Sequence, residues 1–133
     1  LAPSTTYYYV VESKDAALNT SITSTQSFVT AAPPVADTVA PVISAISTSN
    51  ISSTTAMISW QTNELATSKL YYGTTTPVNL GTALTISNNS LVTSHSLGFA
   101  GLASSTIYYY VLESVDAALN TATTSTQSFV TTN

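Results

Sequence analysis

Apolar and polar residues alternate with a period of two along most of the chain, and this pattern predicts β-strands. Between residues 54 and 61, Ala56, Ile58 and Trp60 share one face while mostly polar residues occupy the other. No long stretch shows the period of an amphipathic helix. We therefore predict an all-β protein. Other residues expected to face inward are Leu70, Tyr72, Leu97, Phe99, Tyr108, Tyr110, Leu112 and Phe129.

Seven short strands are predicted in the region 41–133, and turn residues separate them. The turns include residues 73–77, which contain Gly and Pro, and residues 87–90, which read Ser-Asn-Asn-Ser. Strands at this spacing are typical of a seven-stranded immunoglobulin-like β-sandwich. The predicted strands cover residues 42–48, 54–61, 66–73, 79–86, 91–99, 106–115 and 121–131.

The chain contains an internal repeat, because residues 1–32 align with residues 102–133 at a constant offset of 101. The two copies are identical at 24 of 32 positions. This predicts that residues 1–32 are the last two strands of a preceding repeat, 33–40 a proline-rich linker and 41–133 a complete domain. The copies differ at Pro3/Ser104, Thr6/Ile107, Val11/Leu112, Lys14/Val115, Ser21/Ala122, Ile22/Thr123, Ala31/Thr132 and Ala32/Asn133.

The first copy alone cannot bury its apolar face. A two-stranded hairpin is marginally stable in water, yet this one places Tyr7, Tyr9, Val11 and Phe28 on one side. Two completions are open: the preceding part of a longer polymer, or a neighbouring chain that is completed by strand addition. Either one predicts head-to-tail assembly with copies of the chain or with neighbouring repeats.

Several residues at fixed spacing resemble the fibronectin type III family. They are Trp60, the Leu102, Thr106 and Tyr108 series, and Phe129 near the end of the last strand. The wider pattern is similar to a bacterial and archaeal surface subfamily that includes the N-terminal domain of purple acid phosphatases. It covers residues 40–43, 58–60, 64–68, 72–74, 93–95 and 116–120.

The resemblance implies a fibronectin type III sandwich that acts as a spacer and has no chemistry of its own. The metal ligands of the phosphatase family lie in a separate catalytic domain. Tyr7 and Tyr108 match the tyrosine-corner position of such domains. Leu119 departs from the subfamily, which usually has Gly there, so a positive φ at this residue would strain the loop.

The composition restricts the partners. Charged residues make up 6% of the chain, and the net charge is −4 with two lysines. No basic patch can form, so nucleic acid is excluded. There is no cysteine for disulfides or thiolate chemistry. No apolar run approaches the roughly 18 residues of a membrane helix, so we expect no membrane insertion.

The acidic residues form the candidate metal site. In a sandwich of this topology Asp37, Glu64 and Asp116 lie at one pole, with Asn63 and Asn120 beside them. Carboxylate and amide oxygens are the ligands that Ca²⁺ prefers, so we predict calcium at Asp37, Glu64, Asp116 and Asn120. The alternative is that these are solvated loop acids that cap turns.

A second candidate site is the outer face of the sheet. By alternation Tyr71, Tyr109 and Val111 point away from the core, and Tyr8 and Val10 repeat the pattern in the first copy. Exposed apolar residues on adjacent strands predict a contact surface. The alternative is that they are scattered surface aromatics of high β-propensity.

Catalysis is not expected. The single histidine, His95, shares inward parity with Leu97 and Phe99, which predicts a hydrogen-bonded residue at the edge of the core. The sequence has neither a nucleophile elbow nor a glycine-rich phosphate loop. Sequons at Asn19 and Asn50, and a third at Asn88, are compatible with glycans on an extracellular surface.

Three functions remain open from the sequence. The favoured one is a structural tandem repeat of an extracellular filament, stalk or large cell-surface protein. The second is an adhesin module that binds glycan or protein through its loops or its tyrosine face. The third is a non-catalytic spacer of a secreted hydrolase.

Overall fold

The computed structural model describes residues 1–133 and contains only β-strands. None of its elements is a helix with the length and apolar character to cross a membrane. The chain divides into two compact units, Leu1–Ala36 and Asp37–Asn133. The strands are β1 (Thr6–Tyr9), β2 (Glu12–Lys14), β3 (Thr20–Ile22), β4 (Gln26–Val29), β5 (Ile43–Ser49), β6 (Thr55–Gly73), β7 (Leu84–Ala100), β8 (Ile107–Val115), β9 (Thr121–Thr123) and β10 (Gln127–Val130).

Two long strands organise the second unit. The first half of β6 pairs with β5 and with the end of β7, while its second half pairs with β8 and with the start of β7. β8 then pairs with β9 and β10. All pairs are antiparallel. Since β6 and β7 pass from one layer into the other, the two layers of the sandwich share these strands.

This arrangement corrects several predicted boundaries. The strand predicted at 79–86 begins only at Leu84 and continues through 91–99 as β7, and the strand predicted at 121–131 is divided into β9 and β10. Residues 54–61 and 66–73 were expected to be separate strands, but β6 runs through both with register shifts between Gln61 and Ser68. The turn predicted at 87–90 lies inside β7. There Ala66 pairs with Val92 and Ser68 pairs with Asn88, so extra β7 residues bulge where the strand changes layer.

The core lies between the layers and contains the residues predicted from alternation. Ile58, Trp60, Leu70 and Leu112 are fully buried, and Tyr72 packs against the cluster from its edge. Aromatic contacts tie the layers together. The rings of Phe99 and Phe129 lie 5.3 Å apart, and those of Phe99 and Tyr72 lie 4.9 Å apart edge to face. The β-sandwich prediction is confirmed.

The first unit is a hairpin without a core. β1 pairs with β4 and β2 pairs with β3, and no residue of Leu1–Ala36 is buried. Phe28 lies 5.8 Å from Tyr7 and 6.2 Å from Tyr9 between ring centroids, and all three rings stay exposed or half-buried. The hairpin therefore has its backbone pairing but little apolar burial.

Candidate functional site

Three carboxylates meet at one end of the second unit. Asp37 precedes β5, Glu64 lies where the pairing of β6 with β7 is interrupted, and Asp116 follows β8. Asp116 is held there by a bridge to Ala66 on β6. One carboxylate oxygen from each of the three acids lies within 4.8 Å of the others. The structure thus brings together the three acids that the sequence placed at one pole.

Local hydrogen bonds fix Asp116. Its Oδ1 accepts from the backbone N–H of Ala118 at 2.8 Å and of Asn120 at 2.9 Å, and its Oδ2 accepts from the Asn120 side-chain amide at 2.8 Å. The same amide nitrogen donates to the Asp37 carbonyl at 3.3 Å. Asn120 therefore presents donors to the cluster, and it orients Asp116 rather than offering its oxygen.

Asn63 is also occupied elsewhere. Its Oδ1 accepts the backbone N–H of Val42 at 2.7 Å, which fixes the start of β5. The side-chain oxygens that lie closest together at this pole are those of the three carboxylates. Three carboxylates suit a hard divalent cation, which would complete its shell with water or backbone oxygen.

The surroundings shift the pKa values of Glu64 and Asp116 in opposite directions. Burial raises the pKa of Glu64, and the negative charges of Asp37 and Asp116 raise it further. Burial also acts against ionised Asp116, but the hydrogen bonds from Asn120 and from the backbone outweigh it and lower the pKa of Asp116. A proton or a cation near Glu64 would relieve this repulsion.

The tyrosine face differs from the prediction. Tyr71 and Val111 were expected to be exposed, but they are only 7% and 6% exposed, and Tyr109 is half-buried. Tyr71 pairs with Val111 across central strands, its hydroxyl donates to Glu113 at 3.1 Å, and the Lys69 ammonium lies 4.5 Å from its ring centroid. Neighbouring side chains thus cover this face, and the predicted exposure of Tyr71 and Val111 was wrong.

His95 is built into the core rather than into a reactive site. Its ring stacks on Trp60 with centroids 4.9 Å apart and an interplanar angle of 6°. Nε2 bonds to the Thr62 hydroxyl at 2.9 Å and Nδ1 to the Ser68 hydroxyl at 2.7 Å. Burial lowers the pKa of His95. The ring is fully enclosed and serves packing.

Sequence reasoning missed two buried hydroxyls, those of Ser114 on β8 and of Thr131 after β10. The Trp60 indole N–H donates to Ser114 Oγ at 3.1 Å. Thr131 Oγ1 donates to the Ala103 carbonyl at 2.7 Å and accepts from Thr106 N–H at 2.9 Å. Ser and Thr are too common in this chain for sequence alone to single these out.

The loop after β8 is strained in the way expected from the sequence for a positive φ at Leu119. Leu119 has a φ of 70°, and Leu18, its counterpart in the first unit, has a φ of 67°. Both leucines are exposed. A β-carbon in this left-handed region costs on the order of 1 kcal/mol. The loop is nevertheless held by the hydrogen bonds to Asp116.

Comparisons with known proteins support the fold. No protein-family model matches the chain. The chain is similar to the FN1–FN3 domains of chicken CNTN1, with a TM-score of 0.54 and 17% identity over 100% of this chain and 45% of that one. It is also similar to the third fibronectin III domain of human KIAA0343, with a TM-score of 0.50 and 18% identity over 71% of this chain and 82% of that one. The fold is therefore of the fibronectin type III kind.

A sequence relative adds a second context. The chain is 35% identical to Endoglucanase B of Cellulomonas fimi over 127 residues, which are 94% of this chain. It spans only 12% of the length of that protein. The similarity therefore concerns one stretch of a much longer polypeptide.

Proposed function

We propose that the chain is a structural segment of an extracellular tandem array, in which fibronectin type III-like repeats follow one another head to tail. The observation that carries this proposal is the near-identity of residues 1–32 and 102–133. A chain that repeats the closing strands of its own domain is best explained as part of an array. The work of such an array is to hold something at a distance.

The build of the second unit supports a mechanical role. No buried side-chain polar atom lacks a hydrogen-bond partner. The one histidine is enclosed between Trp60 and two hydroxyls. Such a domain is suited to stability. The proline-rich segment 33–40 favours an extended and stiff connection between successive repeats.

Single-molecule force spectroscopy on the full-length native protein tests this role. We expect a regular series of unfolding events. Each event should lengthen the chain by about 300 Å, because an unfolded residue spans roughly 3.3–3.6 Å and the complete unit is Asp37–Asn133. Electron micrographs should show beads in a row. One isolated globule and a single unfolding event would contradict the proposal.

A second candidate is a non-catalytic module of a secreted hydrolase. The similarity to Endoglucanase B favours it, because that similarity covers 94% of this chain. The mass of the native polypeptide and its activity on soluble cellulose discriminate the two roles. An adhesin role has less support, because Tyr71 and Val111 are covered by their neighbours.

Calcium belongs to the proposal as a stiffening element. We propose that Asp37, Glu64 and Asp116 bind one divalent cation, with Asn120 holding Asp116 in position. The support is the approach of the three carboxylates to within 4.8 Å. The pKa of Glu64 is raised first by burial and then by the charges of Asp37 and Asp116. A cation there would link the start of β5 to the middle of β6 and the end of β8.

A further inference from the structure

The two copies of the hairpin differ in burial, which can be compared position by position. We call residues 1–32 the first hairpin, residues 102–133 the closing hairpin and residues 37–101 the body. Phe129 of the closing hairpin is 6% exposed, while its counterpart Phe28 is 45% exposed. Leu102 is 6% exposed and its counterpart Leu1 is 86% exposed. In the second unit Phe129 packs on Phe99 of the body as well as on Tyr108 and Tyr110 of its own hairpin.

The first hairpin retains the residues that contact a body. Nine residues of the closing hairpin are buried, and eight of their counterparts are identical in the first hairpin. The exception is Val11, which replaces Leu112 with one methylene less. The other seven differences fall where the closing hairpin is exposed or half-buried. The nine buried residues are Leu102, Tyr108, Tyr110, Val111, Leu112, Ser114, Asp116, Phe129 and Thr131.

Ser13 is the most informative of these counterparts. In the closing hairpin Ser114 is fully buried and accepts the Trp60 indole N–H. In the first hairpin Ser13 is exposed. A serine at this position supplies the hydrogen-bond acceptor that a buried indole N–H needs. Its presence in the first hairpin is therefore expected if this hairpin packs against a buried indole. Leu1 aligns with Leu102, which directly follows Gly101, the last residue of the body.

We infer that the first hairpin closes a second body, which has the strand pattern of residues 37–101 and joins the chain directly before Leu1. This inference rests on the proposed tandem array and names the partner of the exposed face. Phe28 packs against the counterpart of Phe99, Tyr7 against the counterpart of Tyr72, and Tyr9 against Phe28, as their equivalents do in the second unit. Ser13 accepts the indole N–H of the counterpart of Trp60.

The test is an extended chain in which a copy of residues 37–101 is placed directly before Leu1 of the full chain. We expect two folded units and no binding of a hydrophobic dye. Phe28→Ala should lower the thermal midpoint of the added unit by more than about 10 °C. In the 133-residue chain the same change should leave the midpoint of the second unit where it is.

Two further variants keep the test decisive if Phe28→Ala unfolds the added unit completely. Val29→Ala is the matched control, since Val29 and its counterpart Val130 are both exposed, and it should leave both midpoints unchanged. Val11→Leu should raise the midpoint of the added unit by about 4–8 °C, because it restores the methylene that the site of Leu112 accommodates.

Three results would overturn the inference. Equal and small effects of Phe28→Ala and Val29→Ala would show that the hairpin does not contact the added body. Dye binding by the extended chain would show that the body stays open. A dimer of the 133-residue chain that Phe28→Ala abolishes would make a second copy the occupant. Force spectroscopy of the native protein is independent of all three, so failure of the array can be told apart from failure of the inference.

Discussion

The first and closing hairpins are nearly the same peptide in two surroundings, and their comparison separates local from tertiary effects. Tyr7 and Phe28 have ring centroids 5.8 Å apart at 23°, and Tyr108 and Phe129 have the same distance at 20°. Ala2 N–H donates to Tyr7 Oη at 2.7 Å, as Ala103 N–H does to Tyr108 Oη at 3.0 Å. The tyrosine corner therefore forms with or without a body.

The loops of the two hairpins also form in the same way. Asp15 accepts from Ala17, Asn19 and the Asn19 side chain at 2.8–2.9 Å, as Asp116 does from its own neighbours. The hydrogen bonds from Asn19, first from its side chain and then from its backbone, lower the pKa of Asp15. Turn geometry thus follows from nearby residues, while burial depends on the opposite sheet.

The largest expected difference between the hairpins is the decrease in the free energy of unfolding when a phenylalanine side chain is removed. In the 133-residue chain Phe129→Ala should lower the free energy of unfolding of the second unit by about 3–5 kcal/mol, because it leaves a cavity among Phe99, Tyr108 and Tyr110. Urea titration followed by Trp60 fluorescence measures this. Phe28→Ala is the matched control and should cost the second unit nothing. Equal decreases for Phe129→Ala and Phe28→Ala would contradict the comparison.

The second difference concerns the buried hydroxyl. Ser114→Ala should cost about 1–3 kcal/mol, because the Trp60 indole N–H loses its acceptor inside the core. Ser13→Ala, the same change in the first hairpin, should leave the free energy of unfolding of the second unit unchanged. The same urea titration applies. A silent Ser114→Ala would mean that the indole finds another partner.

A smaller difference should appear with pH. Burial lowers the pKa of His95 below 6.5, so the unfolded chain takes up a proton before the folded one does. The contribution of neutral His95 to the free energy of unfolding is complete above pH 6.5. It should therefore decline as the pH falls towards the pKa of His95 in the folded chain. Urea midpoints between pH 8 and 5.5 measure it. The slope should vanish in His95→Gln, and a slope that persists would assign it to another group.

The smallest expected effect is that of calcium. Calcium chloride should raise the midpoint of the second unit by a few degrees relative to chelator, and Asp116→Asn should abolish the rise while Asp15→Asn leaves it intact. Glu64→Gln should also abolish it. Because the raised pKa of Glu64 means that its ionised form is disfavoured in the fold, this variant should be more stable than the parent in chelator at pH 7. Identical melts with calcium and chelator would remove the metal from the account.

The sequence predicted the core well because alternation decides which face a residue occupies. It failed for Tyr71 and Val111 because alternation does not say whether the outer face is covered. The Ser-Asn-Asn-Ser segment was predicted as a turn, yet β7 continues through it where the strand bulges and changes layer. Turn residues are tolerated there because the register shift already interrupts the ladder.

The candidate site was predictable only in part. The convergence of Asp37, Glu64 and Asp116 follows from the order of strands in a sandwich, which the sequence pattern indicates. The role of Asn120 was not accessible, because whether an amide presents its oxygen or its nitrogen depends on the final contacts. The indole bond of Ser114 was hidden in the same way.

Amide hydrogen exchange in the 133-residue chain tests the central claim most directly. The 24 identical positions give pairs of amides in closely similar local sequence, so a difference in rate reports surroundings. We expect the amides of β8 and β10 to exchange at least about 100-fold more slowly than their counterparts in β1, β2 and β4, because only the former lie on a body. Equal protection of the two hairpins would show that the first one is stable without a partner sheet, which contradicts the account.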